Sequence, residues 1–498
     1  MSYTAKFDDF QRKIFSAIEV MKSNVGVRDY PEYILPLLFL KYISDAYRQH
    51  EKEDFEDNDD HTAWLKKRLK KIFSREQLCS CDYYSLYDSR HNGNLGRLMN
   101  ETFHRLEEAY SNDLKNVFSL VDFNSYRLGD NSERSSILCE LLEAISKISF
   151  EEKLSESYLY QKSDLFSIAA EILLSQIKYS SSIAPIEVCR LVAKLLSPQK
   201  AERVYDPAFS TGSLLIACAT EDRVKVDDVP RVFGVERNGI AWSLARMNAF
   251  LNCENGSGMH IGRFATKSRR ELNDSYDVAV SFPPFGSKDS LFPALPWGMS
   301  YDFLPNPDSK LSTEYSAILH MLSVLEDGHG RLALILPSGS LSKSGTEKFV
   351  RQRLIEYNLV DAVIGLPERL IAGVAARFSI IILRKDRVGK EVLFLDITSQ
   401  NSALRGQIRL SEKQALDIIE AYNNFKEKSI SEHSIAIEEI EVNDFNFNSS
   451  VFSKNTTAVE QVDLNLLQEQ REVIKRRLEK LDEEINDEIE AAGLRQVV

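Results

Sequence analysis

Apolar residues in the first third of the chain recur at the spacing of helices. From Phe7 to about Ala170 they return every three or four positions, the period of an amphipathic α-helix, and the first such face comprises Phe10, Ile14, Ala17, Ile18 and Met21. Residues 33–45 are apolar nearly all round, so we expect a helix buried within a bundle. Pro36 marks a start or a kink of that helix, because proline removes a backbone donor.

A different pattern begins after Ile183-Ala184-Pro185, where proline can open a helix. Short β-rich runs now alternate with helical stretches, which is typical of a parallel α/β sheet. Seven runs are predicted to be strands: residues 203–205, 231–235, 259–261, 277–280, 330–336, 359–364 and 378–383. The predicted fold class is α/β, with an N-terminal helical bundle, a seven-stranded doubly wound (Rossmann-like) sheet and a C-terminal helical tail. Ligands are expected at the carboxyl ends of the strands.

The C-terminal part carries one more apolar run, residues 392–397, and then polar, helix-prone sequence. Its last apolar positions are spaced seven, four, three and four apart, which indicates a coiled-coil-like stripe: Leu467, Ile474, Leu478, Leu481 and Ile485. The stripe packs either on a partner helix or on the chain's own N-terminal bundle. We therefore predict an N-terminal helical domain (1–170), a sheet domain (171–400) and a helical partner-binding region (401–498).

The chain is acidic, with a formal net charge of −13. Affinity for duplex DNA comes mainly from neutralising phosphates, so this balance argues against a chain that coats DNA on its own. One local basic patch, residues 66–71, follows an acidic stretch at 51–60. It is either a solvated helix face or a nucleic-acid contact.

Cysteine and histidine usage gives no metal signature. Six cysteines and eight histidines are scattered, and only Cys79 and Cys81 are close, at a spacing that fits no common zinc pattern. We expect free, mostly buried thiols and no metal.

The apolar runs are too short or interrupted to cross a bilayer, and no signal peptide is seen, so a cytoplasmic protein without membrane contact is expected.

The first predicted strand leads into a turn with candidate chemistry. Asp206 is followed by small residues, including Thr211 and Gly212, where a helix begins. Small residues let the backbone approach a ligand, and the helix N-terminus offers free N–H groups. Glu236, at the end of the second strand, can accept both hydroxyls of an adenosine ribose. Asp206 could instead cap its turn and Glu236 could cap a helix. A GxGxxG fingerprint is missing, which disfavours a dehydrogenase.

The fourth predicted strand runs into Phe282-Pro283-Pro284-Phe285-Gly286. With this segment the chain resembles the modification subunit of type I restriction-modification systems, in the N6-adenine DNA methyltransferase family. The likeness extends over most of the length and includes residues 37–45, 206–213 (DPAFSTGS), 234–237 (GVER), 330–339, 359–367 and the helical tail.

The resemblance implies a reaction in which a flipped adenine meets the methyl group of S-adenosyl-L-methionine. The family pattern at this strand end is Asn-Pro-Pro followed by Phe or Tyr. The Asn side chain and the next carbonyl accept hydrogen bonds from the adenine amino group, and the last aromatic stacks on the base. Here Phe285 retains the stacking face, although a plain buried aromatic is the alternative reading. Phe282 takes the Asn position and cannot accept a hydrogen bond, and Ser281 should point to the opposite face.

Further departures from the family lie in the cofactor half. Ala184 replaces the Thr of a Thr-Pro motif, and Arg263 stands where an acidic residue usually lies near the cofactor's adenine. In the family's DPACGSGG turn, three positions are replaced by larger residues, namely Phe209, Ser210 and Ser213. Bulk is therefore expected where cofactor should lie.

These departures favour a catalytically impaired subunit that acts in DNA binding and complex assembly. The alternative is an active adenine-N6 DNA methyltransferase. By resemblance, two copies of the chain grip a specificity subunit on DNA, with or without a restriction or translocase subunit, and a different defence-type assembly is equally conceivable.

Overall fold

The computed structural model describes most of the chain up to residue 452. The described residues are 3–24, 29–52, 65, 67–70, 82–150, 164–176, 183–221, 230–236, 238–253, 259–263, 275–285, 292, 302–306, 308–371, 374–397, 409–428 and 431–452. One compact unit comprises Met1–Phe452 and a second comprises Ser453–Val498. The predicted stripe at 467–485, Cys79 and Cys81 lie outside the described residues, and the predicted three-domain division stays a prediction.

The N-terminal third is helical, as its apolar spacing predicts. Its helices are α1 (Tyr3–Lys22), α2 (Tyr30–Lys52), α3 (Tyr83–Asp88), α4 (Leu95–Ala109), α5 (Asn131–Ser146) and α6 (Asp164–Ser175). Helix α2 runs through Pro36 without ending there, and its residues from Tyr30 to Asp45 are buried almost without exception. The predicted buried helix is therefore confirmed, and it starts before Pro36.

The central element is a nine-stranded sheet with the order β3-β2-β1-β4-β5-β7-β6-β8-β9. Strand β7 runs antiparallel to both of its neighbours, and β9 is antiparallel to β8, whereas the other pairs are parallel. The strands are β1 (Arg203–Asp206), β2 (Arg231–Glu236), β3 (Met259–Arg263), β4 (Val278–Ser281), β5 (Arg331–Pro337), β6 (Val360–Gly365), β7 (Phe378–Arg384), β8 (Glu391–Asp396) and β9 (Ser434–Ala436).

All seven predicted strands are present within two residues of their predicted ends, but seven is wrong as the total. The apolar run at 392–397 forms β8, and the three-residue β9 pairs with its edge. Strand β9 has a single buried apolar residue, Ile435, so it offers too little alternation to be recognised from sequence.

Helices cover both faces of the sheet. Alternate strand residues such as Val204, Val280 and Ile380 join one core with the N-terminal helices. That core also includes residues of α7 (Ile186–Leu196), α8 (Ser213–Thr220), α9 (Gly239–Asn252) and α12 (Glu412–Lys428). The opposite residues, such as Ala279 and Leu334, pack with α10 (Thr313–Val324), α11 (Thr346–Glu356), α13 (Ile437–Val442) and α14 (Ser449–Phe452). This two-sided burial explains the near-continuous apolar strands.

The basic patch at residues 66–71 is only partly a solvated surface. The side chain of Arg68 is buried, donates to the carbonyls of Phe250 and Cys253 at the end of α9, and pairs with Asp113. Lys67 and Lys70 are exposed. Arg68 therefore supports the packing of the helical third on the sheet, which leaves fewer charges for DNA.

Among the described residues, no helix has the length and apolarity needed to span a membrane.

Candidate functional site

Three polar side chains meet at the carboxyl edge of the sheet. Asp206, Glu236 and Ser281 are the last residues of β1, β2 and β4, which are neighbours in the order β2-β1-β4. Carboxyl ends of parallel strands meet at one edge, so chain-distant residues converge there. The backbone of Arg263, the last residue of β3, pairs with that of Glu236.

Asp206 is almost completely buried at this edge. Its Oδ1 accepts hydrogen bonds from the Ser281 hydroxyl at 2.8 Å and from the Ala208 N–H at 2.9 Å. Burial raises the pKa of Asp206 to about 7, and the nearby Glu236 carboxylate acts in the same direction. Asp206 thus caps its turn and also ties β1 to β4. The bond to Ser281 was not foreseen from the sequence, because it depends on β4 being the neighbour of β1.

Glu236 joins the β1 turn to the start of α9. Its Oε2 accepts the N–H of Ser210 at 2.9 Å, and its Oε1 accepts the N–H of Asn238 at 2.8 Å. Asn238 in turn accepts the N–H groups of Ile240 and Ala241 and so caps α9. Glu236 is only partly buried.

The turn between β1 and α8 is held in an uncommon backbone conformation. Ser210 has a φ of +49° and Gly212 a φ of +78°, both in the left-handed region. The Thr211 carbonyl accepts a 3.0 Å hydrogen bond from Asn248, a fully buried residue of α9. A Cβ on Gly212 would lie 3.1 Å from the Cβ of Ala245 in the same helix. Helix α9 therefore supports the turn through Asn248 and Ala245.

Phe209 is the largest of the three residues expected to place bulk in the cofactor position, and that expectation stays a prediction. Its ring is buried and packs on β2, where a Cβ on Gly234 would lie only 2.5 Å from Phe209 Cδ1. The ring belongs to the core shared with the N-terminal helices. The large side chain therefore fills space beside the sheet, and Gly234 is the residue that makes room for it.

The same turn has the features of an adenosine site. The Ser210 hydroxyl is buried and has no hydrogen-bond partner in the described structure, so a ligand atom or a water could satisfy it. Thr211 and Ser213 share a hydroxyl–hydroxyl bond of 3.0 Å. These hydroxyls can accept hydrogen bonds from the hydroxyl and amino groups of a nucleoside. The residues present fit such a group.

The segment after β4 forms an aromatic cluster. Phe282 is buried, and its ring centroid lies 5.6 Å from that of Phe378 at the start of β7. Phe285 contacts the same ring edge-on at 5.2 Å and lies 6.2 Å from Phe282. Pro283 is buried and Pro284 half-buried. Sequence reasoning missed Phe378, because only the antiparallel direction of β7 brings its first residue to this edge.

The cluster has no polar side chain for a substrate amino group. Phe282 offers no acceptor, and the hydroxyl of the preceding Ser281 is turned to Asp206. Phe285 is half-exposed, so one part of its ring remains open while another contacts Phe378. This arrangement can stack on a flat ring, but its side chains cannot accept a hydrogen bond from an amino group on that ring.

Two family models and the similar curated proteins point to the same family. A family model described as N-6 DNA Methylase matches residues 161–461, and one described as HsdM N-terminal domain matches residues 10–145. The Type I restriction enzyme MjaVII methylase subunit of Methanocaldococcus jannaschii is 26% identical and aligns over 96% of this chain and 83% of its own length.

Solved structures share the fold. The methyltransferase subunit of a type I restriction-modification system from Streptococcus thermophilus has a TM-score of 0.65 at 21% identity, covering 89% of this chain and 99% of its own. A chain from a study of complex assembly and conformational transition of the type I system has a TM-score of 0.57 at 17% identity, covering 96% and 98%. At these identities the likeness concerns the fold alone.

Proposed function

The chain belongs to the N-6 DNA methylase family and is a modification subunit of the type I restriction-modification class, and we propose that it binds DNA and partner subunits while its methyl transfer is impaired. The observation that carries this proposal is the position of Phe282. Its ring is packed against Phe378 where the family places an Asn that accepts a hydrogen bond from adenine.

The expected size of the defect follows from the missing contact. Removing one preorganised polar group that stabilises a transition state typically costs about 100- to 1000-fold in rate. The hydroxyl of Ser281 lies against Asp206 and its side chain points away from that of Phe282, so it is not placed to accept from the same group. Phe285 keeps a partly exposed ring, so we propose that it still stacks on a flipped adenine.

We propose that the turn at the sheet edge holds S-adenosyl-L-methionine. Glu236 would accept the ribose hydroxyls, and the backbone around Thr211 and Gly212 would face the rest of the cofactor, with Asp206 holding the turn in shape. The cofactor, when bound, supplies the methyl group. Support comes from the position of Glu236 at the sheet edge, where it accepts the N–H groups of Ser210 and Asn238, and from the buried hydroxyl of Ser210, which has no partner in the described structure.

We further propose that a specificity subunit selects the DNA sequence, since by resemblance target recognition belongs to a separate polypeptide. Two copies of this chain would grip that subunit through their helical ends, with or without a restriction or translocase subunit, in a cytoplasmic complex. The solved relative from a study of type I complex assembly supports a partner-dependent role. The net charge of −13 also favours DNA binding through a shared surface.

The retained turn favours a second candidate, an active adenine-N6 DNA methyltransferase. Asp206, Gly212 and Glu236 keep the local geometry of a ligand-binding loop. In this case the Pro283 carbonyl alone would accept from the adenine amino group, and Phe282 would have to move aside.

Sequencing of N6-methyladenine in DNA from the source cell, with and without this gene, tests the two candidates. We expect an unchanged methylation map. A methylated motif that disappears on deletion, returns with the wild-type gene and fails to return with Glu236→Gln would establish the active enzyme instead.

A matched pair of variants then tests the role of Phe282 in the assembled complex. Phe282→Asn supplies the missing acceptor, and we expect methyl transfer to rise on the order of 100-fold. Phe282→Leu keeps the position apolar and should remain inactive. If the wild-type complex transfers methyl groups and the Phe282→Leu complex does so at the same rate, the proposal is contradicted.

A further inference from the structure

Three potential metal ligands that are distant in sequence converge on the surface of the N-terminal bundle. His91 lies in the turn between α3 and α4, and Cys139 and Glu143 lie one turn apart on α5. One ligand atom of each lies within 4.8 Å of the other two. From the sequence no metal is expected, because the histidines and cysteines are dispersed. Folding brings these three together.

The distances from Cys139 to the other two donor atoms are close to those of a zinc site. Cys139 Sγ lies 3.7 Å from His91 Nδ1 and 3.9 Å from Glu143 Oε1. With Zn–S of about 2.3 Å and Zn–N or Zn–O of about 2.1 Å at a tetrahedral angle, sulfur and nitrogen or oxygen ligands stand about 3.6 Å apart. The sulfur of Cys139 therefore stands at about the required distance from both other ligands, and the donor atoms of His91 and Glu143 lie within 4.8 Å of each other.

The surrounding structure orients these side chains. Cys139 and Glu143 have the i, i+4 spacing that places two side chains on one helix face. One turn earlier on that face, the Ser135 hydroxyl contacts the Gly93 carbonyl at 3.4 Å, which docks the His91 turn on α5. Helix α5 begins with a capping box formed by Asp130 and Glu133, so its register is well defined.

We propose that His91, Cys139 and Glu143 bind a Zn²⁺ ion, with water in the fourth position. A thiolate, an imidazole and a carboxylate together select zinc over Mg²⁺ or Ca²⁺, which prefer oxygen ligands only. The ion would clamp the turn between α3 and α4 onto α5 and thereby stabilise the bundle. This site lies apart from the carboxyl edge of the sheet and does not depend on the proposed methyltransferase role.

One nearby cation opposes metal binding. Arg90 Nε lies 3.4 Å from Glu143 Oε1, and its Nη1 donates to the Tyr87 carbonyl at 2.9 Å. Zinc binding by Glu143 would have to compete with this contact. The Arg90→Gln variant should therefore bind zinc more tightly than wild type. If the three side chains do not bind a metal, this substitution should leave zinc affinity unchanged.

The test measures zinc affinity of the chelator-treated full-length chain by competition with a chromophoric chelator. We expect one Zn²⁺ per chain, and at least about 100-fold weaker binding for Cys139→Ser and for His91→Gln. Cobalt substitution should give a thiolate-to-metal charge-transfer band that Cys139→Ser abolishes. X-ray absorption should show one sulfur in the zinc shell at about 2.3 Å.

Two controls separate this site from adventitious binding. His104 forms an exposed pair with Glu108 on α4 at 3.4 Å without a thiol, so His104→Gln should bind zinc like wild type. A Cys79→Ser, Cys81→Ser double variant should also retain the ion. The proposal is overturned if Cys139→Ser binds zinc as tightly as wild type does. It is also overturned if the zinc shell contains no sulfur, or if wild type does not bind one zinc per chain. Circular dichroism checks the fold, and His91→Gln, on an exposed turn, serves if Cys139→Ser fails to fold.

Discussion

Ser281 and Phe282 are adjacent residues whose side chains serve different parts of the site. The hydroxyl of Ser281 reaches Asp206, and the ring of Phe282 packs on Phe378. Alternation along a strand separates neighbouring side chains in this way. One substitution at position 282 can therefore alter the adenine pocket without disturbing the hydrogen bonds that hold the β1 turn.

Asp206 gives a prediction about the pH dependence of stability. Because burial raises its pKa to about 7, the folded chain keeps a proton between about pH 4 and pH 7 that the unfolded chain releases. The free energy of unfolding should fall as pH rises through this window, by on the order of 4 kcal/mol in total. Asp206→Asn keeps a side-chain acceptor and should remove this slope, as measured by urea denaturation at several pH values.

Asp327 provides the control for this experiment. It is exposed, and its hydrogen bond with Lys385 holds its pKa below the ordinary value. Its stabilising contribution is therefore lost only as pH falls below about 4. Asp327→Asn should leave the slope between pH 4 and pH 7 unchanged, and an equal effect of the two variants would rule out a neutral buried Asp206.

The candidate site was predictable where it depended on local sequence. Asp206, Gly212 and Glu236 end strands or begin a helix, so the order of elements places them at one edge. The contacts of Asn248 and Phe378 were not predictable, because they depend on helix packing and on strand order. The convergence of His91 on Cys139 has the same cause, since no pattern in the sequence relates the two.

At the scale of elements, the turn between β1 and α8 is the most constrained connection of the sheet edge. Gly212 meets two requirements together, a φ of +78° and close contact with Ala245. Ser210 adopts φ +49° at a position where the family has glycine. A left-handed residue with a side chain costs roughly 1 kcal/mol, so the turn stores strain that neighbouring contacts must offset.

Gly212→Ala should destabilise the chain by about 1–3 kcal/mol, because the new Cβ is strained by the backbone and crowds Ala245. Chemical denaturation measures the loss. Gly339→Ala is the matched control, since a Cβ at Gly339 has no atom within 4 Å, and its change should stay within about 0.5 kcal/mol. Equal costs for the two variants would contradict the close approach of α9 to the turn.

The strands illustrate which elements sequence reasoning can find. Strands β5, β6 and β7 are apolar on both faces because helices cover the sheet on both sides, and their runs were recognised within one or two residues. Strand β9 lies at an edge and has one buried apolar residue, so its pairing with β8 depends on tertiary context. Strand order and direction likewise carry no local signal.

At the scale of the whole molecule, Arg409 connects distant parts of the chain. It lies between β8 and α12 in sequence, yet its guanidinium contacts Glu187 of α7 at 3.0 Å and Glu171 of α6 at 3.4 Å. It also lies 4.4 Å from the ring centroid of Phe7 in α1. The N-terminal helices and the segment before α12 are thus joined by one buried ion cluster.

Arg409→Met should cost about 3–5 kcal/mol of stability, because it removes the guanidinium that faces two buried carboxylates. Thermal and urea unfolding of the full chain measure this cost. Arg97→Met removes an exposed pair with Glu101 and should change stability by less than about 0.5 kcal/mol. If the two variants were equally stable, the cluster would contribute no more than a surface ion pair.

The position of β7 has a consequence for synthesis of the protein. Strands β5 and β6 precede β7 in the chain but never pair with each other, because β7 lies between them. Until residues 378–384 are available, β5 has only β4 as a pairing partner and its other edge stays open. Unpaired edges attract other chains. The emerging protein is therefore exposed to aggregation at this edge until β7 pairs with it, and the first residue of β7, Phe378, also completes the aromatic cluster beside Phe282.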